Sequence, residues 1–219
     1  MNKPQAFLFD LNGTMINDMS YHITAWYRIL NELGAGISME RMKEECYGKN
    51  NELLERIFPG RFSDEEKDYM SLEKEKQYQQ EYRPQLKLID GLHDFIKQAA
   101  GKNILMAIGS AAIMFNIDFV LDGLNIRPYF NVLVSADDVQ YSKPHQETYL
   151  QCASQLNIAP ANCIVFEDSP KGVEAAANAG MPSIVITTMH PKKDFEDFDN
   201  ILLFINDYTG NELQQLFRN

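Results

Sequence analysis

Apolar and polar positions alternate along this chain in two different rhythms. Residues 6–9 form a short, uninterrupted apolar run, the pattern of a strand buried on both faces. From Asp18 to about Leu33 the apolar positions Tyr21, Ile23, Ala25, Trp26, Ile29, Leu30 and Leu33 recur at helical spacing, and Gly34 and Gly36 end the stretch. Ser38 opens a second helical segment, Asn51 to Phe58 reads as a third, and Ser63-Asp64-Glu65-Glu66 is a capping box starting a charged helix to about Tyr82. Arg83-Pro84-Gln85 breaks this helical block.

Beyond the break the rhythm becomes a repeated strand–helix alternation. Helix 91–100 leads to a strand at 103–109, helix 112–124 to 131–135, helix 145–156 to 163–166, and helix 171–179 to 183–187; a last strand and helix occupy about 201–217. Short apolar strands alternating with helices imply a parallel sheet covered on both faces. Residues 190–200, rich in Lys and Asp, read as a solvated loop. The expected fold class is α/β, a Rossmann-like parallel-sheet core of residues 1–15 and 84–219 interrupted by a helical block, 16–83.

Composition narrows the function. The net charge of −11 over 219 residues argues against nucleic acid as a partner, since such binding rests on clustered Lys and Arg. Cys46, Cys152 and Cys163 lie far apart without a C-x-x-C spacing, which indicates neither a disulfide framework nor a zinc site and fits a reducing cytoplasm. No apolar stretch approaches the ~18 residues of a membrane span, and a monomer is expected. His22, His93, His145 and His190 are scattered, and an isolated histidine is more often a surface or satisfied core residue than a ligand.

The chemistry concentrates where strands end, since ligands of an open parallel sheet bind beyond its carboxyl edge. Those positions hold Asp10, Ser110, Lys143 and the pair Glu167-Asp168. Singly each has a bland reading: Asp10 a turn former, Ser110 and Asp168 helix caps, Lys143 a surface residue. Jointly, a nucleophilic carboxylate, a hydroxyl, an ammonium and two further carboxylates are the parts that hold Mg²⁺ and a phosphoryl group. The Asn12-Gly13 dipeptide after the first strand is also a hairpin signal, but the helix that follows leaves it no partner strand.

These residues carry a family resemblance. F-L-F-D-L-N-G-T resembles the D-x-D-G-T/V loop of the haloacid dehalogenase superfamily, in the branch of β-phosphoglucomutase and small sugar-phosphate phosphatases. I-G-S-A resembles its hydroxyl motif, S-K-P at 142–144 its lysine motif, and V-F-E-D-S-P-K-G-V-E-A-A-A-N-A-G-M its acidic motif. The resemblance implies that Asp10 is the nucleophile forming an aspartyl-phosphate, and that Mg²⁺ is held by Asp10, Asp168, the backbone carbonyl of Asn12, and Glu167 directly or through water. It further implies that Ser110 and the N–H of Ala111 hold phosphate oxygens, that Lys143 neutralises charge, and that Gly13 and Thr14 shape the loop.

One position departs from the motif. Asn12 stands where the resemblance places the general acid/base, and a carboxamide cannot exchange that proton. The chain as written is expected to bind well and turn over poorly. Two explanations are open, a substitution introduced to trap ligand or a natural variant of weak activity, and the intact remaining motif weighs toward the first.

The resemblance makes residues 16–83 a helical cap inserted after the first motif; there Y21-H22-I23-T24-A25-W26 resembles the β-phosphoglucomutase segment in which the histidine meets the acid/base, and Lys74 resembles that family's cap lysine, although a lysine in a charged run is by default solvated. A mutase must also clamp a second phosphate. Where it places an arginine this chain has Asn51, which leaves Lys49 as the group that could replace it, and Ala112, Ile113 and Met114 follow the hydroxyl motif where it places polar and basic groups. The expected activity is therefore a Mg²⁺-dependent phosphatase acting on a small phosphorylated metabolite, a sugar phosphate; β-phosphoglucomutase and a non-catalytic sugar-phosphate binder are the alternatives.

Overall fold

The computed structural model describes residues 4–217. The chain divides into two compact units, Met1–Asn17 with Lys87–Asn219, and Asp18–Leu86. The first unit carries a six-stranded, wholly parallel sheet built from β1 (Ala6–Phe9), β2 (Leu105–Gly109), β3 (Val132–Val134), β4 (Cys163–Glu167), β5 (Ser183–Ile186) and β6 (Ile201–Ile205). Strand order is β3-β2-β1-β4-β5-β6. The chain thus winds outward from β1 in one direction and then restarts on its other side at β4, and the crevice beyond β1 and β4 is the switch point where such sheets bind ligands.

The continuous apolar run of β1 is explained by its central place. Ala6 and Leu8 face one side of the sheet, among Val165, Tyr149, Cys152 and Ala176. Phe7 and Phe9 face the other, where Phe9 stacks on Phe166 at 4.7 Å between ring centres and Phe7 stacks on Phe95 at 5.3 Å. In register, Phe9 pairs with Ile108 of β2 and Phe166 of β4. One step further, Asp10 and Glu167 leave adjacent strands side by side.

The second unit is helical: α1 (Met19–Glu32), α2 (Met39–Glu45), α3 (Asn50–Ile57) and α4 (Asp64–Tyr82). Ser38 caps α2 by accepting from the N–H of Arg41, and Ser63 with Glu66 forms the reciprocal capping box of α4. The helices of the first unit are α5 (Leu92–Gly101), α6 (Met114–Gly123), α7 (Glu147–Leu156) and α8 (Pro170–Asn178).

Two expectations need correction. The last element, Asn211–Phe217, is a 3₁₀ helix, its Leu213, Leu216 and Phe217 buried. Residues 190–200 are not wholly solvated: Lys192–Phe195 form a 3₁₀ turn that drives Phe195 against Val173 and Val185, where its ring is 1% exposed. The charged neighbours mask this single anchor in the sequence. No helix among the described residues is long and apolar enough to cross a membrane.

Candidate active site

Asp10 leaves β1 with its N–H donated to the carbonyl of Phe166, so strand pairing fixes the residue's backbone. The chain then turns tightly: Met15 N–H donates to Leu11 O and Gly13 N–H to Ile16 O, both at 2.8 Å. Gly13 has φ +77°, and a Cβ there would lie 2.0 Å from Asp168 Oδ2, so conformation and space both require glycine. Two hydroxyls pin the same turn, Thr188 donating to Gly13 O at 2.6 Å and Tyr208 to Thr14 O at 3.1 Å.

The lysine joins the acidic groups. Lys143 Nζ lies 2.7 Å from Asp10 Oδ1 and 2.7 Å from Glu167 Oε1. Glu167 Oε1 also accepts from the Tyr149 hydroxyl at 2.8 Å, while Oε2 accepts from Asp168 N–H, Ser169 N–H and the Ser169 hydroxyl at 3.0–3.1 Å. The start of α8 is pressed onto this carboxylate, for a Cβ on Gly172 would fall 1.8 Å from its Cδ. Thr14 donates to Asp168 Oδ1 at 3.3 Å. Ser110 is buried after β2, its N–H donated to Val134 O and its Oγ accepting from Ala112 N–H at 3.2 Å; Ala111, next to it, is half-buried. Asn12 is half-buried. The cap of α8 is Ser169 rather than Asp168, because Ser169 Oγ accepts from Gly172 N–H.

One ligand oxygen from each of Asp10, Glu167 and Asp168 lies within 4.8 Å of the others, and all three residues are buried. The electrostatics follow from that crowding. Burial opposes the charge on Lys143, but Asp10 and Glu167 beside it outweigh that and raise its pKa. Burial works against Glu167 as well, and Lys143 with the hydrogen bonds it accepts holds its carboxyl below the usual range. Asp168, by contrast, is pushed well up by burial and by the neighbouring Glu167 and Asp10. One ammonium among three carboxylates leaves an excess of negative charge that a divalent cation would relieve, and the donors are all hard oxygens, the set that suits Mg²⁺.

The helical unit has a polar cluster of its own. His22 Nε2 lies 3.2 Å from Asp18 Oδ2, Lys74 Nζ contacts His22 Nδ1, and Tyr78 donates to Asp18. Glu75 Oε1 accepts from Lys74 at 2.9 Å and from Asn50 at 2.7 Å, and Trp26 donates to Asn50. Lys74 is only 2% exposed, which corrects the default of a solvated lysine; with its polar end paired, its stem is buried near the rings of Trp26 and Tyr78. Asn51 bonds inside the same unit, to Asp68 at 2.6 Å and from Ser71 at 3.3 Å. Lys49 stands at the start of α3, half-buried, its N–H donated to Glu52.

Sequence reasoning missed Tyr149, Thr188 and Tyr208 in the sheet unit, and Asp18, Glu75 and Asn50 in the helical one. Tyr149 and Tyr208 sit at core-like positions and Glu75 in a charged helical run, and only strand order and helix packing bring their polar atoms to Glu167, to Thr14 O and to Asn50.

Residues 7–186 match the haloacid dehalogenase-like hydrolase family. The chain belongs to that family. It is 27% identical to the fructose-1-phosphate phosphatase of Escherichia coli (strain K12), over 82% of this chain and 94% of the relative. It is 28% identical to the β-phosphoglucomutase of Bacillus subtilis (strain 168), over 85% of each. Among solved structures, a β-phosphoglucomutase from Clostridium difficile superposes with a TM-score of 0.84 at 26% identity, covering 98% of this chain and 97% of that one. The chain is thus a member of a hydrolase family whose relatives include sugar-phosphate phosphatases and phosphoglucomutases.

Proposed function

We propose that this hydrolase is a Mg²⁺-dependent phosphatase acting on a small sugar monophosphate, with Asp10 as nucleophile and Asn12 limiting its turnover. The observation that carries the reading is the lysine lying 2.7 Å from both Asp10 and Glu167, beside a third buried carboxylate. The similarity to a fructose-1-phosphate phosphatase supports the substrate class.

Asp10, Asp168 and the backbone carbonyl of Asn12 would hold Mg²⁺, with Glu167 reaching it through water. Glu167 already receives five protein hydrogen bonds on its two oxygens, which leaves little lone-pair capacity for a direct metal bond. When bound, the cation supplies positive charge to the phosphoryl oxygens and screens the dianion from the carboxylates. Asp10 attacks phosphorus, the leaving alkoxide departs, and the acyl-phosphate on Asp10 is later opened by water. Lys143 neutralises charge on the carboxylate and the phosphoryl group, while Ser110 and the N–H of Ala111 bind the oxygens. Both steps need a proton moved, one to the alkoxide and one from water, and the amide of Asn12 can do neither.

A phosphatase is preferred to a mutase because the residues replacing a second phosphate clamp carry no cation: Asn51 is engaged with Asp68 and Ser71, and Ala112, Ile113 and Met114 are uncharged. The test is a panel of sugar monophosphates offered to the Asn12→Asp protein. Phosphate release that requires Mg²⁺ and exceeds that of the parent by about 10²–10⁴-fold is expected. Tight binding without turnover of any member would make the protein a binder instead. Interconversion of hexose phosphates without net release would make it a mutase.

A further inference from the structure

Tyr149 lies in the middle of the sheet unit's core, with no exposed surface, among Leu8, Val165, Cys152 and Ala153. Packing there calls for a ring; it does not call for a hydroxyl, and a buried hydroxyl is costly unless it is paired. The hydroxyl of Tyr149 is paired with Glu167 Oε1 at 2.8 Å, the same oxygen that receives Lys143. The ring of Tyr149 also presents its face to that lysine, with Nζ 4.7 Å from the ring centre, within the range of a cation–π contact. One side chain therefore touches both partners of the ion pair and reaches neither the proposed nucleophile nor the crevice beyond it in any contact described.

A lysine has a flexible four-carbon stem and a compact charge that can follow whichever anion is nearest. Lys143 has two carboxylates within reach, and its distance to Asp10 depends on where Glu167 and the ring hold it. Given the phosphatase reading above, on which this inference rests, we propose that Tyr149 is a positioning residue for phosphoryl transfer, its hydroxyl fixing Glu167 Oε1 and its ring face backing Lys143 so that the ammonium stays on Asp10. Charge on the transferred group then meets a cation already in place, without a reorganisation step. Tyr149 touches no reacting atom; it acts through Lys143 and Glu167.

Two substitutions separate the two contacts. Tyr149→Phe keeps the ring and removes the hydroxyl, whereas Tyr149→Leu removes both. In the Asn12→Asp background, with p-nitrophenyl phosphate and Mg²⁺, kcat is expected to fall about tenfold for Phe and up to about 10²-fold for Leu, the scale on which misplacement of a reactive group acts, with KM changed less than threefold. Cys152→Ala, in the same helix and core but with its thiol directed to the Ile108 carbonyl, controls for packing: it should lower Tm and leave kcat unchanged. Crystal structures of the two Tyr149 variants supply a reading independent of turnover, with Lys143 Nζ expected to have left Asp10 Oδ1 in the Leu variant. Unchanged kcat in both variants, a loss matched by Cys152→Ala, or Lys143 unmoved in Tyr149→Leu overturns the positioning role. If the Asn12→Asp protein hydrolyses no phosphomonoester, the phosphatase reading falls, and the crystallographic distance alone decides whether Tyr149 sets the lysine.

Discussion

Gly13 and Asp168 approach so closely that a Cβ on the glycine would lie 2.0 Å from Oδ2 of the aspartate. The loop after β1 and the acidic end of β4 are thus fitted backbone to side chain, and an added Cβ would have to displace the carboxylate. Gly13→Ala is expected to lose at least tenfold in Mg²⁺ affinity and to lower Tm, since the left-handed backbone alone costs an alanine about 1–2 kcal/mol. Calorimetric titration of Mg²⁺ alongside a thermal melt in EDTA checks both; parental affinity would mean that Asp168 is not a ligand.

The crowding of Asp10, Glu167 and Asp168 has a sign of its own. Without metal, burial and like charge disfavour ionised Asp168, so Asp168→Asn should melt no lower than the parent in EDTA. With Mg²⁺ at 100 times its Kd the parent should gain about 2.7 kcal/mol by mass action, while the variant gains much less. Thermal melts of both proteins with and without Mg²⁺ give the four values required. Equal stabilisation of the two would exclude Asp168 from the metal site.

In the helical unit the titrating group is Glu75. Burial opposes its charge, but Lys74 and His22 outweigh burial and hold its pKa at about 2. A folded pKa below the unfolded one means that stability is fully present above the unfolded value of about 4.3 and is lost as pH falls toward 2. The contribution is on the order of 3 kcal/mol. Chemical denaturation of parent and Glu75→Gln at pH 6 and pH 3 should show a stability difference that shrinks at the lower pH. A constant difference would show that the carboxylate's charge contributes nothing to folding.

Much of the fold was legible because strands and helices differ in period. The run at 6–9 carried the pattern of a strand buried on both faces, and Ser63 with Glu66 marked the start of α4 to the residue. The strand-end residues Asp10, Lys143, Glu167 and Asp168 were legible as a set because a parallel sheet delivers them to one edge, and the structure brings all four together. Phe195 was hidden by the charges around it, and Lys74 by its place in a charged run, since burial of a long polar side chain depends on partners from other helices: His22 on α1 and the aromatic rings beside it. Tyr149 was hidden for the opposite reason. Its spacing is that of an ordinary core residue, and only the packing of α7 against the sheet takes its hydroxyl to Glu167.

The Asn12-Gly13 pair carries a chemical prediction. Asparagine before glycine deamidates when the glycine nitrogen closes on the carboxamide, and here that nitrogen is bonded to Ile16 O at 2.8 Å inside a turn. Deamidation at Asn12 should be several-fold slower in the folded protein than in urea, as measured by peptide mass spectrometry over time. Equal rates would mean that the turn opens freely. The same measurement guards the kinetics, since aspartate formed at this position would mimic the Asn12→Asp variant.

Phosphoryl transfer to Asp10 is most directly accessible with p-nitrophenyl phosphate, whose leaving group needs no proton, because with Asn12 in place only the water step is then expected to be slowed and the acyl-phosphate to accumulate. The measurement is to incubate the protein with Mg²⁺ and p-nitrophenyl phosphate, quench, reduce with borohydride, and sequence the peptide spanning residues 4–17 by mass spectrometry. An acyl-phosphate on Asp10 is reduced to homoserine, so the expected result is that mass change at Asp10, absent without Mg²⁺ and absent in Asp10→Asn. Phosphate release with Asp10 unmodified at every time point, in both the Asn12 protein and Asn12→Asp, would contradict the account.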